Sequence, residues 1–211
     1  MKKLFLLLIF AMSNVPAAEP VILVLGDSLS AAYGIERSRG WVSLLQSRLQ
    51  QAGYPHRVVN ASISGDTTAG GLARLPRALE QFQPDILIIE LGGNDGLRGL
   101  GNRQTRDHLD QMITLARASH SRPLLLGMML PPNFGKAFTE KFLQIYRDLA
   151  EQRNVPLVPF FLAGVADRPE WMQSDGIHPT AEGQPLMLEH VWEQLQPMLE
   201  ETSVHSDKSL K

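Results

Sequence analysis

The chain has 211 residues, 44% of them hydrophobic, no cysteine, and 20 basic against 22 acidic side chains for a formal net charge of -2. That suits one domain with a real core. It leaves no disulfide, thiolate metal site or cysteine nucleophile, and no basic stripe for nucleic acid.

The first residues read as a targeting segment. Lys2 and Lys3 are basic, Leu4 to Met12 is apolar, and Val15-Pro16-Ala17-Ala18 offers small residues for cleavage, the pattern of a secretory signal peptide. Residues 1–17 are expected to be removed by a cut after Ala17, or alternatively after Ala18. The apolar stretch falls short of the roughly 20 residues that span a bilayer, so no stable membrane span is expected after cleavage.

Short apolar runs then alternate with helical stripes. Val21 to Leu25 is the first strand. Trp41, Leu44, Leu45 and Leu49 recur at helical spacing until Gly53. Arg57 to Asn60 is a second strand, and Leu72, Leu75, Leu79 and Phe82 mark the next helix, with Pro84 beyond it. Ile86 to Leu91 is the clearest strand. Leu109, Met112, Ile113 and Ala116 form a helical stripe, and Leu124 to Met129 is a fourth strand. Phe138, Phe142, Ile145, Tyr146 and Leu149 form another helix, followed by a weak fifth strand from Leu157 to Phe160. The last helix starts near Thr180 and carries Leu188, Val191, Leu195 and Leu199. Such alternation predicts an α/β fold with a parallel sheet between helices. Residues 18–200 form one domain, and 201–211 a polar tail expected to fray.

In an open parallel sheet, ligands sit beyond the carboxyl ends of the strands. Gly26-Asp27-Ser28 follows the first strand, and Gly65 lies in the loop after the second. Gly92-Gly93-Asn94-Asp95 follows the third, and Asp175 and His178 come after the fifth. Right-handed crossovers bring these loops to one edge. A serine hydroxyl needs a base to take its proton, and histidine suits that task near neutral pH. Asp175, three residues before His178, is placed to fix the ring tautomer. The backbone N–H groups of Ser28 and Gly65 and the side-chain amide of Asn94 are candidate oxyanion donors. Each motif also has a plainer reading as a turn or helix start; their co-occurrence at one edge is what favours acyl transfer.

The segments "GDSLS", "SGDT", "GGND" and "DGIHP" resemble the blocks of the SGNH (GDSL) hydrolases, and "VVNASISGDTTAGGLARLP", "IELGGNDGLRG" and "WMQSDGIHP" extend the likeness. It runs from about Val21 to Leu199. The resemblance implies a flavodoxin-like three-layer α/β/α sandwich with a five-stranded parallel sheet. Ser28 would be the nucleophile, His178 the base and Asp175 its partner, with an oxyanion hole from Ser28, Gly65 and Asn94. It further implies a periplasmic or secreted bacterial enzyme without metal or other cofactor. Its partner would be a small-molecule acyl ester, thioester or lysophospholipid, and a monomer is expected.

The resemblance also implies that the loop from Asp95 to Gly101 moves when a long acyl chain binds, which makes Asp95 and Leu97 candidate substrate contacts. One wall of an acyl trough is expected from Met128 to Phe134, with Pro132 and Phe134 in contact, and another from Phe160, Phe161, Trp171 and Met172. The five histidines outside the motif are assigned to the surface or to helix faces. The competing readings are a carbohydrate-ester deacetylase, a metal-dependent phosphoesterase built on Asp27, Asp66, Asn94 and His178, and a non-catalytic lipid carrier.

Overall fold

The computed structural model describes residues 19–208, with side chains through residue 200. The expected signal peptide lies outside the described residues. Five strands, β1 (Val21–Gly26), β2 (Arg57–Asn60), β3 (Ile86–Glu90), β4 (Arg122–Leu126) and β5 (Leu157–Val158), form one parallel sheet in the order β2-β1-β3-β4-β5. The helices are α1 (Trp41–Gln51), α2 (Thr68–Phe82), α3 (Gly93–Leu97), α4 (Asn102–Ala118), α5 (Lys136–Arg153) and α6 (Gln184–Lys208). α1 packs with α6, while α2, α4 and α5 pack together on the other face. This is the three-layer flavodoxin-like sandwich expected.

Every residue of β1 and β3 is buried. Strands covered by helices on both faces have no solvent side, so they read as continuous apolar runs. β2, at the sheet edge, is only partly buried. The helices turn their stripes inward: Trp41, Leu45 and Leu49 from α1, Leu109, Met112, Ile113 and Ala116 from α4, and Phe142, Tyr146 and Leu149 from α5 are all buried in one core.

Several boundaries differ from the sequence pattern. α2 begins four residues before Leu72, because the Thr67 side chain caps it by accepting the Gly70 N–H. α3 lies where only a glycine-rich turn is legible. It carries no apolar stripe; its buried Asp95 instead accepts the backbone N–H of Thr68 at 2.9 Å and also the Thr68 hydroxyl. β4 stops at Leu126, since Gly127 must pass the main chain of Pro159 and donates to Val158 O at 2.8 Å. β5 is only two residues long. α6 starts four residues after Thr180, past a turn closed by Gly183 N–H on Thr180 O. It then runs on to Lys208, into the tail expected to fray; once a helix is nucleated, each added residue gains a hydrogen bond. His56 is neither on the surface nor on a helix: it is buried ahead of β2, edge-on to Tyr54.

The order of strands sets the site. β1 and β3 are neighbours, but the chain leaves β1 toward β2 on one side and β3 toward β4 on the other. The loops after β1 and β3 therefore diverge, and a crevice opens between them at the carboxyl edge.

Candidate active site

Ser28 stands in the turn that leaves β1. The Asp27 side chain shapes that turn by accepting the Leu29 N–H at 3.0 Å, and Asp27 O and Ser28 O accept the N–H groups of Ala31 and Tyr33. The hydroxyl of Ser28 lies 2.8 Å from His178 Nε2, and His178 Nδ1 lies 2.6 Å from Asp175 Oδ2. A carboxylate only accepts, so Nδ1 carries the ring proton and Nε2 offers its lone pair to Ser28. These three sequence-predicted residues thus meet in one relay.

The loop before α6 holds the pair. Asp175 Oδ1 accepts the N–H groups of Ile177 and His178 at 2.9 and 3.0 Å, and Gln173 N–H donates to His178 O at 2.7 Å. Burial raises the Asp175 carboxyl, but the His178 ring and those two amides outweigh it and lower the group to about 2. Asp175 therefore remains an anion at neutral pH. Tyr33 lies against the imidazole, with ring centroids 4.5 Å apart.

Asn94, in the first turn of α3, donates Nδ2 to Asp27 Oδ2 at 3.0 Å, which leaves its other N–H free for a ligand. Burial raises the Asp27 carboxyl to about 6, against the opposing pull of the Leu29 amide, Glu90 and Asn94. Gly65 has a φ of +79°, a left-handed conformation that glycine takes without strain. Its carbonyl accepts Arg98 Nη2 at 2.8 Å. Among the described residues, neither the Ser28 nor the Gly65 N–H has a hydrogen-bond partner within the chain.

A cavity of about 360 Å³ opens beside Ser28, within the usual size of small-molecule sites. Ser28, Asn94 and His178 stand at its polar end; the rest is largely apolar, with Met128, Leu130, Phe160 and Met172 among its walls. Of the expected contacts, Leu97 and Pro132 line it. Phe161 does not: it is fully buried against the edge of Trp41, because Phe160 takes the cavity side and its neighbour turns into the core. Asp95 also turns away, to Thr68. Phe134 stacks on Phe138 instead, and Trp171 carries Arg168 over its ring. Gly65 lies outside the cavity lining. Ile177, inside the DGIHP block, lines the cavity, as do Leu162 and Ala166, which carry no sequence signal beyond apolarity. Glu90 had one: a carboxylate closing an apolar strand.

Of the residues proposed for a metal site, Asp27, Asn94 and His178 line the cavity, but Asp66 does not. Asp66 is paired with Arg74 at 2.8 Å, and no group of three or more His, Asp or Glu side chains among the described residues is arranged to hold a metal ion.

The chain is similar to known proteins over most of its length. An esterase, TesA, of Pseudomonas aeruginosa is 54% identical over 87% of this chain and 91% of its own. The thioesterase 1/protease 1/lysophospholipase L1 of Escherichia coli is 46% identical over 89% of this chain and 88% of its own. The crystal structure of a psychrotrophic esterase, EstA, from Pseudoalteromonas, inhibited by monoethylphosphonate, is 36% identical, covers 85% of this chain and 98% of that one, and superposes with a TM-score of 0.81. Residues 24–186 match the model of the GDSL-like lipase/acylhydrolase family. With Ser28 at the β1 edge and the matched region spanning most of the chain, this protein belongs to that family.

Proposed function

We propose that this chain is a serine esterase of broad specificity, hydrolysing acyl thioesters, lysophospholipids and simple or aryl esters through an acyl-enzyme intermediate. The observation that carries the reading is the unbroken relay from Ser28 Oγ through His178 to Asp175. Ser28 Oγ bonds to the acyl carbon as its proton passes to His178 Nε2. The carbonyl π pair moves onto oxygen, and the oxyanion takes the Ser28 and Gly65 N–H groups and the Asn94 amide. Collapse breaks the bond to the leaving alcohol or thiol, which receives the proton from His178. Water then repeats the sequence on the acyl-serine, releasing the acid and restoring Ser28.

The apolar cavity supports an acyl chain as the recognised part. The basic and apolar start of the chain supports export to the periplasm or medium, and no helix among the described residues is long and apolar enough to cross a membrane. We take the acting form to be a monomer that needs no cofactor, since the relay and its oxyanion donors all come from one chain.

The test is labelling with a fluorophosphonate followed by mapping of the adduct, together with hydrolysis assays. The adduct is expected on Ser28, and Ser28→Ala and His178→Ala are expected to fold normally while losing about 10⁴-fold or more in kcat. Full activity in either variant would overturn the reading.

A further inference from the structure

Glu90 ends β3 with its side chain fully buried. One oxygen, Oε2, accepts the Asp27 N–H at 3.1 Å and the Ser30 hydroxyl at 2.6 Å. The other, Oε1, has no hydrogen-bond partner among the described residues. The carboxyl therefore grips the nucleophile turn on both sides of Ser28, at residue 27 by main chain and at residue 30 by side chain. Gly26 is part of the same arrangement: a Cβ there would stand 2.6 Å from Glu90 Oε2 and 2.7 Å from Ser30 Oγ. Asp27, held in place this way, accepts the Asn94 amide on Oδ2. Burying a carboxyl is costly, and an apolar residue would fill the space at the end of a strand as well.

We propose that Glu90 is a positioning residue for ester hydrolysis, holding the Asp27 turn so that the Asp27 carboxylate presents the Asn94 amide to the oxyanion. This rests on the esterase reading above. Two neighbouring carboxyls in a dry site do not both ionise readily. Burial, then the charge of Asp27, pushes the Glu90 carboxyl well above its usual range. Glu90 is the more deeply buried of the two, and Asp27 is the acceptor that the Asn94 amide engages. The other ionisable groups facing this pair are engaged elsewhere: Tyr146 from α5 donates to Leu91 O, Asp95 from α3 accepts from Thr68, and His178 is held by Asp175.

Glu90→Leu keeps the volume and removes the acceptor. With 4-nitrophenyl butyrate, kcat per fluorophosphonate-titrated site is expected to fall about tenfold or more while KM stays within about twofold. In an Asn94→Ala background the same change is expected to cost less than about threefold, because the group it positions is gone. Equal losses in both backgrounds, or an unchanged kcat, would overturn the proposal. Should the leucine variant not fold, Glu90→Gln decides alone. This neutral amide keeps an acceptor and is expected to hold kcat within about threefold between pH 6 and 8; a loss of about tenfold or more overturns the proposal. A wild-type chain unlabelled at Ser28 would fail the esterase reading itself; a labelled one with an unaffected Glu90→Leu fails only this inference.

Discussion

Gln173 donates its side-chain amide to the carbonyl of Tyr33 at 2.8 Å, and the same nitrogen reaches Pro179 O at 3.1 Å. It thereby ties the loop carrying Asp175 and His178 to the turn carrying Ser28. Gly34 leaves room for it, since a Cβ there would stand 2.1 Å from Gln173 Oε1. The 2.8 Å contact between Ser28 and His178 spans 150 residues of sequence, and this clamp helps to maintain it. Each net hydrogen bond contributes about 1 kcal/mol. Gln173→Ala is expected to lower kcat and the rate of fluorophosphonate labelling about tenfold, with KM little changed. An unaltered labelling rate would remove the clamp from the account.

Asp175 decides which ring nitrogen of His178 bears the proton. Asp175→Asn offers an amide that can donate to Nδ1, which favours the wrong tautomer and points a proton at Ser28. The expected loss is about 10³-fold in kcat, less than for a fully buried triad aspartate because the Asp175 side chain is 39% exposed. Steady-state kinetics at pH 7 checks this, and circular dichroism should be unchanged.

Asp27 and Asp175 act in opposite senses on the acid side of the stability curve. Asp27 is raised from 3.8 to about 6, so the folded chain holds its proton more tightly than the unfolded chain. Its contribution to stability is complete below 3.8 and is lost as pH rises through about 6. Asp175, lowered to about 2, contributes above 3.8 and loses that contribution as pH falls toward 2. Urea unfolding of wild type and Asp27→Asn, compared at intervals from pH 4 to 7, should show the wild type losing ground to the variant as pH rises. The reverse slope would mean that Asp27 is not desolvated.

The cavity sets a limit on acyl length. Ala166 lines it, and Ala166→Phe places a ring inside a space of about 360 Å³. Hydrolysis of decanoyl esters is expected to fall about tenfold in kcat/KM, while acetyl esters change less than about twofold. Equal effects on both chain lengths would place the acyl group elsewhere.

Gly127 is where β4 gives way to the cavity wall. A Cβ there would meet Pro159 O at 2.3 Å and Val158 O at 2.9 Å, both main-chain atoms with little freedom to move. Gly127→Ala is expected to cost about 3 kcal/mol, the upper end for overpacking, measured by urea unfolding. A neutral outcome would show that the β5 edge yields.

Much of this molecule is legible in the one-dimensional pattern because burial imposes periodicity. Strands closed in on both faces read as apolar runs, as β1 does and as β3 does up to Glu90, and helices on the sheet must carry a stripe, as α4 and α5 do. Alternation of the two then leaves few topologies, and those place Ser28, Asn94 and His178 at one edge. α3 escapes this reasoning because its stability comes from Asp95 reaching Thr68 across space. Phe160 and Phe161 escape it too: both are aromatic, and only the end of a two-residue strand determines which one faces the cavity.

Composition and order thus determined by themselves the parallel α/β architecture, the absence of thiol chemistry and the set of reactive side chains, since each follows from residue type and local spacing. Only the tertiary structure decided how that set is held. The clamp of Gln173 on Tyr33, the grip of Glu90 on Asp27 and Ser30, and the separation of cavity walls from core are contacts between segments far apart in the chain. Hydrogen bonds act over about 3 Å, and no local pattern records which distant groups the fold brings within that reach.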